Sequence, residues 1–96
     1  MIYLLKLGSA KNKNKRFRAF FSDGDYKEFG SKNGFTFIDG ASEETKRNYI
    51  KRHKINENWR DFKSAGALSR YILWGASNDI NINVKFYNDI IKNFSK

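Results

Sequence analysis

Two strand-like segments flank an Asp-Gly pair early in the chain, and this hairpin pattern limits the possible folds strongly. Over residues 16–21, Phe and Ala at odd positions alternate with Arg16, Arg18 and Phe20, as expected of a strand with one buried face. Asp23-Gly24 follows and favours a type I′ turn, which needs positive φ at both central residues. With the apolar run Ile2–Leu7 ahead of it, the pattern predicts an antiparallel meander of strands at about 2–8, 15–22 and 25–30.

The rest of the chain has helical patterns. Ser42 is a candidate N-cap, and acidic residues at 43 and 44 suit the positive end of a helix dipole. A strand-like alternation at 80–84 also fits a longer helical spacing, and its length favours the helix. We predict helices at about 42–54, 64–74 (the most buried, stopped by Gly75) and 79–94 (capped by Asn78).

The predicted fold class is therefore α+β. An N-terminal antiparallel β-meander of three strands, or four if Phe35–Ile38 adds one, is followed by three helices. The 96 residues form one small basic domain over residues 1–96, because a second hydrophobic core would not fit.

Composition excludes several kinds of site. The chain has no Cys and one His, so disulfides, Cys-based zinc sites and His-cluster metal sites are excluded. No apolar run approaches the ~20 residues of a membrane span, and the first residues are too short for a signal-peptide core. We expect a soluble protein that is not secreted, does not contact a membrane and has no catalytic residues, metal or cofactor.

The main functional signal is positive charge. Lys and Arg number 19 against 10 Asp and Glu, which gives a formal net charge of +9. Two clusters hold ten of these cations: Lys11, Lys13, Lys15, Arg16 and Arg18 in the first, and Lys46, Arg47, Lys51, Arg52 and Lys54 in the second. On a helical wheel Arg47, Lys51 and Lys54 share a stripe beside the Tyr49/Ile50 face. Such a stripe attracts polyanions, although a solvated face that only maintains solubility has the same pattern.

The aromatic residues of the hairpin allow two interpretations. They could stack on the bases of single-stranded nucleic acid, or they could form the core. Phe17 and Phe21 share the face that must be buried, so only Phe20 is a candidate for exposure. We expect the core to be the main use of these rings, with Trp59 and Trp74 as further core anchors.

A polar group between the first two predicted helices could be a structural network or a binding site. His53 and Glu57 are four residues apart and could act as an acid/base pair, but a lone His on the apolar side of a helix is more often structural. Arg70 lies in an apolar segment, so we expect it to point outward or to pair with a carboxylate. The full group consists of Arg52, His53, Asn56, Glu57, Asn58, Trp59, Ser69 and Arg70.

These motifs resemble a family of small basic proteins encoded by large nucleocytoplasmic DNA viruses, the giant viruses of amoebae and algae. The resemblance runs from about Phe17 to Trp74, and its most specific part is the Arg-His-x-x-Asn-Glu-Asn-Trp stretch at 52–59. The chain departs from the family after Gly75, where a Pro-containing turn is common and this chain has no Pro. The resemblance implies a viral setting and a soluble α+β domain, and it implies no reaction.

Three hypotheses follow. The first is a non-enzymatic viral protein that binds nucleic acid through the two basic clusters, as a component of the virion or of the viral factory in the host-cell cytoplasm. The second is a structural or adaptor protein of the particle, whose basic surface meets acidic virion proteins or whose aromatic residues form an oligomer interface. The third, an enzyme or nuclease built around His53 and Glu57, has the least support.

Overall fold

The computed structural model describes residues 2–94 and confirms the α+β class. Three strands, β1 (Leu4–Ser9), β2 (Lys15–Phe21) and β3 (Tyr26–Ser31), form an antiparallel sheet in the order β1-β2-β3. The strand bounds agree with the predicted meander to within two residues. A β-bulge at Leu5 interrupts β1, since Leu4 pairs with Phe21 while Lys6 pairs with Phe20.

The hairpin forms at Asp23-Gly24, but the predicted type I′ turn is wrong. Gly24 has φ +88°, whereas no residue other than glycine has positive φ within residues 2–94. The Gly24 N–H donates to the Phe21 carbonyl, and the Phe21 N–H donates to the Asp25 carbonyl. This is a type I turn over Ser22 and Asp23 followed by a glycine bulge, which needs only one left-handed residue.

The fourth strand does not form. Phe37–Asp39 is instead a short 3₁₀ helix. The Asp39 carboxylate accepts hydrogen bonds from the Thr36 N–H (2.9 Å) and the Thr36 hydroxyl (2.8 Å). These local bonds favour a turn over an extended strand.

The three helical regions lie close to their predicted positions. Helix α1 is Glu43–His53, and its Ser42 cap accepts from the Thr45 N–H as expected. Helix α2 is Ala65–Leu68 and continues as a π-helical turn over Ser69–Leu73. Helix α3 is Ile80–Phe94. Its cap is Asp79 rather than Asn78, because the Asp79 carboxylate accepts from the Asn81 N–H at 2.9 Å.

The core lies between one face of the sheet and the helices. The sheet contributes the buried residues Leu4, Ala19, Phe21 and Phe29, and the helices contribute Tyr49, Leu68, Ile72, Leu73, Trp74, Tyr87 and Ile91. Two asparagines of α3 form hydrogen bonds that connect this helix to the sheet and to the preceding helical region. Asn88 exchanges hydrogen bonds with the backbone of Leu4 in β1. The buried Asn83 donates to the carbonyls of Ile72 and Ser77.

In the described part of the chain, no helix is long and apolar enough to span a membrane.

Candidate nucleic-acid interface

The first basic cluster occupies one end of the sheet. Lys11 and Lys13 lie in the β1–β2 loop and Lys15 begins β2, and all three side chains are exposed. Lys15 pairs with Ser31 at the end of β3, and the Lys32 N–H donates to the Asn14 carbonyl at 3.3 Å. Lys32 therefore joins this cluster. The sequence pattern missed it because Lys32 is distant in the chain, although the meander register places it beside the loop.

Glu28 fixes the conformation of this loop. Its carboxylate, on the neighbouring strand β3, accepts from the backbone N–H groups of Lys11 (2.6 Å) and Asn12 (3.1 Å). The Asn14 N–H donates to the Asn12 side chain at 2.8 Å. The bond from the Lys11 N–H is the main reason that the pKa of Glu28 is lowered. The exposed lysines are thus presented by an ordered backbone, and their side chains stay in solvent.

Two cations of the first cluster form ion pairs with carboxylates of the same chain. Arg16 forms two hydrogen bonds with Asp39, and Arg18 Nε donates to Glu28 at 3.0 Å. The Arg18 guanidinium also lies 4.2 Å from the centroid of the Tyr26 ring. Both charges are largely offset, so neither arginine contributes to a free positive field as predicted for the whole cluster.

The second cluster lies on the solvent side of α1. Lys46 is again used internally: its ammonium group is 3.4 Å from Glu43, donates to the Gly75 carbonyl and covers the Phe37 ring. The other members are exposed, and within residues 2–94 none of them forms an ion pair. At 100° per residue Arg47, Lys51 and Lys54 share one stripe, as predicted, but it lies on the side of the helix opposite Tyr49 and not beside that residue. Arg52 lies off this stripe.

Seven of the ten predicted cations are therefore exposed and free of ion pairs within the described residues. They are Lys11, Lys13 and Lys15 at the sheet end and Arg47, Lys51, Arg52 and Lys54 on α1. Lys32 adds an eighth. We call the two groups the loop lysines (Lys11, Lys13, Lys15, Lys32) and the helix cations (Arg47, Lys51, Arg52, Lys54).

The sheet has a second face, directed away from the core, that carries aromatic rings. Strand alternation from the buried residues places Lys6, Gly8, Arg18, Phe20, Tyr26 and Glu28 on this outer face. Tyr3 belongs to it as well, because it lies one step beyond the Leu4–Phe21 pair: the Ser22 N–H donates to the Tyr3 carbonyl, and the Tyr3 N–H donates to the Ser22 hydroxyl. Phe20 is only partly exposed, while Tyr3 and Tyr26 are 45% and 53% exposed. The expectation that Phe20 alone would reach solvent is wrong.

The polar group near residues 52–70 is only partly assembled. His53 stacks on Tyr49, with ring centroids 4.1 Å apart, and its Nδ1 lies 3.5 Å from Glu57 Oε1. Glu57 also accepts from Trp59 Nε1 at 2.8 Å. Glu57 thus joins the end of α1 to the loop that follows, and we interpret this part of the group as structural.

The other members of that group are dispersed. Asn56 is exposed, as is Arg52. Asn58 accepts from the Arg60 N–H in a local turn. Ser69 lines a cleft of about 250 Å³ that also contains His53 and Trp74.

Arg70 is neither directed to solvent nor paired with a carboxylate, so both expectations for it are wrong. Its Nη1 donates to the Trp74 carbonyl at 2.7 Å, and its guanidinium lies 5.5 Å from the ring centroids of Trp59 and Tyr71. Burial lowers the pKa of Arg70. The π-helical turn ends at Leu73, and the carbonyl of the next residue, Trp74, has no helical donor. Arg70 supplies this hydrogen bond.

Titratable groups in the described residues do not form a metal site. No group of three or more carboxylate or imidazole side chains in residues 2–94 could hold a metal ion.

Comparison with known proteins gives one match. The model of a protein family described as a family of unknown function (DUF5754) matches residues 5–53, slightly more than half of the chain. The matched region includes β1 apart from Leu4, strands β2 and β3, the loop lysines and all of α1. Neither the curated proteins nor the solved structures gave a match.

Proposed function

The chain belongs to the DUF5754 family, and since that family carries no assigned function, we propose from the chain's own surface that it binds nucleic acid without sequence preference. The loop lysines and the helix cations would contact phosphates. The proposed role is non-enzymatic, with no metal and no cofactor.

One observation carries this proposal: the ion pairs of the fold are made by other cations. Arg16, Arg18, Lys46 and Lys63 take up the carboxylates of Asp39, Glu28, Glu43, Asp23 and Asp25. The loop lysines and helix cations are left exposed on a chain of formal net charge +9. A free cation near a phosphate releases a condensed counterion, and this release provides affinity.

The residue types support sequence-independent binding. Lysine ammonium groups act as point charges toward phosphates, whereas sequence is read by side chains that reach base edges. Six of the eight cations in the two groups are lysines. We therefore expect similar affinities for oligonucleotides of the same length and different sequence.

Paired charge reversals test the proposal. Lys13→Glu/Lys15→Glu removes two loop lysines, and Lys51→Glu/Lys54→Glu removes two helix cations. Each pair should weaken binding of an oligonucleotide by about tenfold or more at low salt, because each lost phosphate contact removes its counterion release. Fluorescence anisotropy with a labelled oligonucleotide measures the dissociation constants.

Lys85→Glu/Lys92→Glu on α3 is the matched control. Both side chains are exposed and outside the two clusters, and the double variant changes the net charge by the same amount as the test pairs. If all three double variants lose affinity equally, net charge and not the clusters determines binding. If wild-type protein does not bind at low salt, the proposal is wrong.

The viral setting remains a proposal that comes from the resemblance described above. There the protein would act in the virion or in the viral factory of the host-cell cytoplasm, on nucleic acid or on acidic virion proteins. Localisation of the tagged protein in infected cells and in purified particles would test it, and exclusion from both would contradict it.

A structural or adaptor role is the second candidate, and exposed apolar side chains favour it. Ile55, after α1, is 77% exposed, and Phe35, ahead of the 3₁₀ helix, is 65% exposed. Aromatic side chains such as Phe35 are enriched where proteins meet. Sedimentation without nucleic acid would show concentration-dependent association that Ile55→Ser weakens; a strict monomer at high concentration would contradict self-association.

A further inference from the structure

We propose that the outer face of the sheet stacks on unpaired bases, so that the chain prefers single-stranded to duplex nucleic acid. This inference rests on the proposed nucleic-acid binding and specifies the ligand class. The platform consists of Tyr3, Phe20 and Tyr26, with Lys6 and Arg18 beside the rings.

The Phe20 ring packs over Gly8, which has no side chain. A Cβ placed on Gly8 would lie 3.1 Å from Cε2 of the Phe20 ring, so the ring occupies the space that any other residue would fill. Lys6 Nζ lies 5.2 Å from the centroid of the same ring. The ring is partly exposed and the ammonium group lies over it, so a nucleotide arriving here would meet an aromatic ring and a cation together, and both attract it.

Tyr26 is fixed by its neighbours although it is half exposed. It is paired with Phe20 across the β2–β3 ladder, and the Arg18 guanidinium lies 4.2 Å from its ring centroid. Arg18 is itself held by Glu28 at 3.0 Å. The ring is therefore ordered before any ligand arrives, which reduces the entropy lost on binding. Tyrosine and guanidinium planes are both surfaces on which splayed-out bases stack.

The acidic side chains near the outer face are neutralised by cations, which makes this surface suitable for a negatively charged ligand such as a nucleic acid. On the outer face Glu28 is neutralised by Arg18, and at the hairpin turn Asp23 and Asp25 are bound by Lys63. At the other end of the same strands lie the loop lysines. Phe20 lies five positions along β2 from Lys15, about 17 Å at the usual strand rise. Lys15 has the parity of the core-facing Ala19, so the loop residues Lys11 and Lys13, beyond this end of β2, are the cations within reach of a ligand on the outer face. A single strand of several nucleotides could place bases on the rings and phosphates on Lys11 and Lys13 of the loop.

The preference for single-stranded over duplex nucleic acid follows from base pairing. Bases in a duplex are already stacked on one another, and extruding one costs a few kcal/mol. Bases of a single strand are free to stack on protein rings, and any base can do so because each has a π-face. A platform of rings beside a lysine cluster thus favours single strands without reading their sequence.

Three ligands of equal length separate stacking from phosphate contacts. They are a single-stranded oligonucleotide, the corresponding duplex and an abasic single strand, which keeps its phosphates and lacks bases. We expect wild-type protein to bind the base-containing single strand most tightly. Tyr26→Leu and Phe20→Leu should each weaken that binding by about five- to 150-fold, the range for one stacked base, and should leave binding of the abasic strand unchanged.

Two control variants accompany them. Tyr26→Phe keeps the ring and should retain wild-type affinity, whereas Phe35→Leu removes an exposed ring that lies outside the sheet and should have no effect. Thermal unfolding followed by circular dichroism identifies any variant that is not folded. Because Tyr26 is half exposed, its replacement should leave the fold intact and keep the test decisive.

The outcomes separate this inference from the proposed function. If all three ligands bind equally and the leucine variants match wild type, nucleic-acid binding stands and the stacking platform is wrong. If no ligand binds, both are wrong. If the leucine variants instead abolish association between copies of the chain and no ligand effect is seen, the outer face is a protein interface and the inference is overturned.

Discussion

Arg16 and Asp39 form a two-point ion pair that fastens strand β2 to the 3₁₀ helix. Arg16 Nη1 donates to Asp39 Oδ2 at 2.6 Å, and Nη2 donates to Oδ1. Asp39 also accepts from the Thr36 backbone and hydroxyl. One carboxylate thus receives four hydrogen bonds, of which the pair from Arg16 is the strongest reason that the pKa of Asp39 is lowered. The pair also removes a cation from the first basic cluster.

Replacement of Asp39 by Asn should destabilise the protein by about 1–2 kcal/mol at pH 7, because the hydrogen bonds from Arg16 then go to a neutral amide and not to a carboxylate. The loss is modest because both side chains of the pair are partly exposed to solvent. The folded-state pKa of Asp39 lies below the unfolded value of about 3.9. The stabilisation is therefore present above pH ~4 and is lost as the pH falls toward the folded-state pKa. Urea unfolding at a series of pH values measures it.

Asp61→Asn is the control for this pH series. The Asp61 side chain is exposed, and no hydrogen bond or ion pair of that side chain occurs within residues 2–94. The free energies of unfolding of wild type and the Asp39 variant should converge as the pH drops below 4. A constant difference down to pH 2 would show that the Asp39 charge is not the source of the stability.

Gly75 and Gly24 should respond differently to alanine. A Cβ on Gly75 would overlap the Tyr71 carbonyl oxygen and lie 2.7 Å from Asn83 Cγ, so the backbone must move and the hydrogen bonds of the buried Asn83 must break. Gly75→Ala should cost about 3 kcal/mol. Gly24 has φ +88° and no atom within 4 Å of its Cβ position, so Gly24→Ala should cost only about 1 kcal/mol of backbone strain.

Chemical denaturation of both variants measures these free energies. Gly24→Asn, which tolerates the left-handed region better than Ala, should recover part of the loss at the turn. Equal losses at the two positions would mean that the close contacts around Gly75 relax easily.

The sequence predicted those elements whose patterns are local. Ser42 and the acidic first turn of α1 define a helix start without help from the rest of the fold, and the alternation around Phe17 to Phe21 defines a strand. At Asp23-Gly24 the sequence does not distinguish a type I′ turn from a type I turn with a glycine bulge, because both need glycine at position 24 and differ in the backbone conformation of Asp23. Residues Phe35–Ile38 do not form the predicted fourth strand, because the Thr36 N–H donates a hydrogen bond to the Asp39 side chain and the segment turns.

The candidate site was less predictable, since it depends on which charges meet across the fold. Arg16 and Arg18 look like free cations in the sequence, and only the register with β3 and the 3₁₀ helix brings them to Asp39 and Glu28. Exposure of Tyr26 and Tyr3 depends on which sheet face the helices cover. The π-helical turn that orients Arg70 has no sequence signature that we could use.

The salt dependence of nucleic-acid binding tests the central claim most directly. The affinity of wild-type protein for a duplex, measured by anisotropy between about 50 and 200 mM salt, should give a log–log slope of about −4.5 to −7 if roughly five to eight phosphates are contacted. The Lys13→Glu/Lys15→Glu variant should reduce the magnitude of the slope by about 1.8, and Lys85→Glu/Lys92→Glu should leave it unchanged. A flat salt dependence, or identical slopes for both variants, would contradict the account.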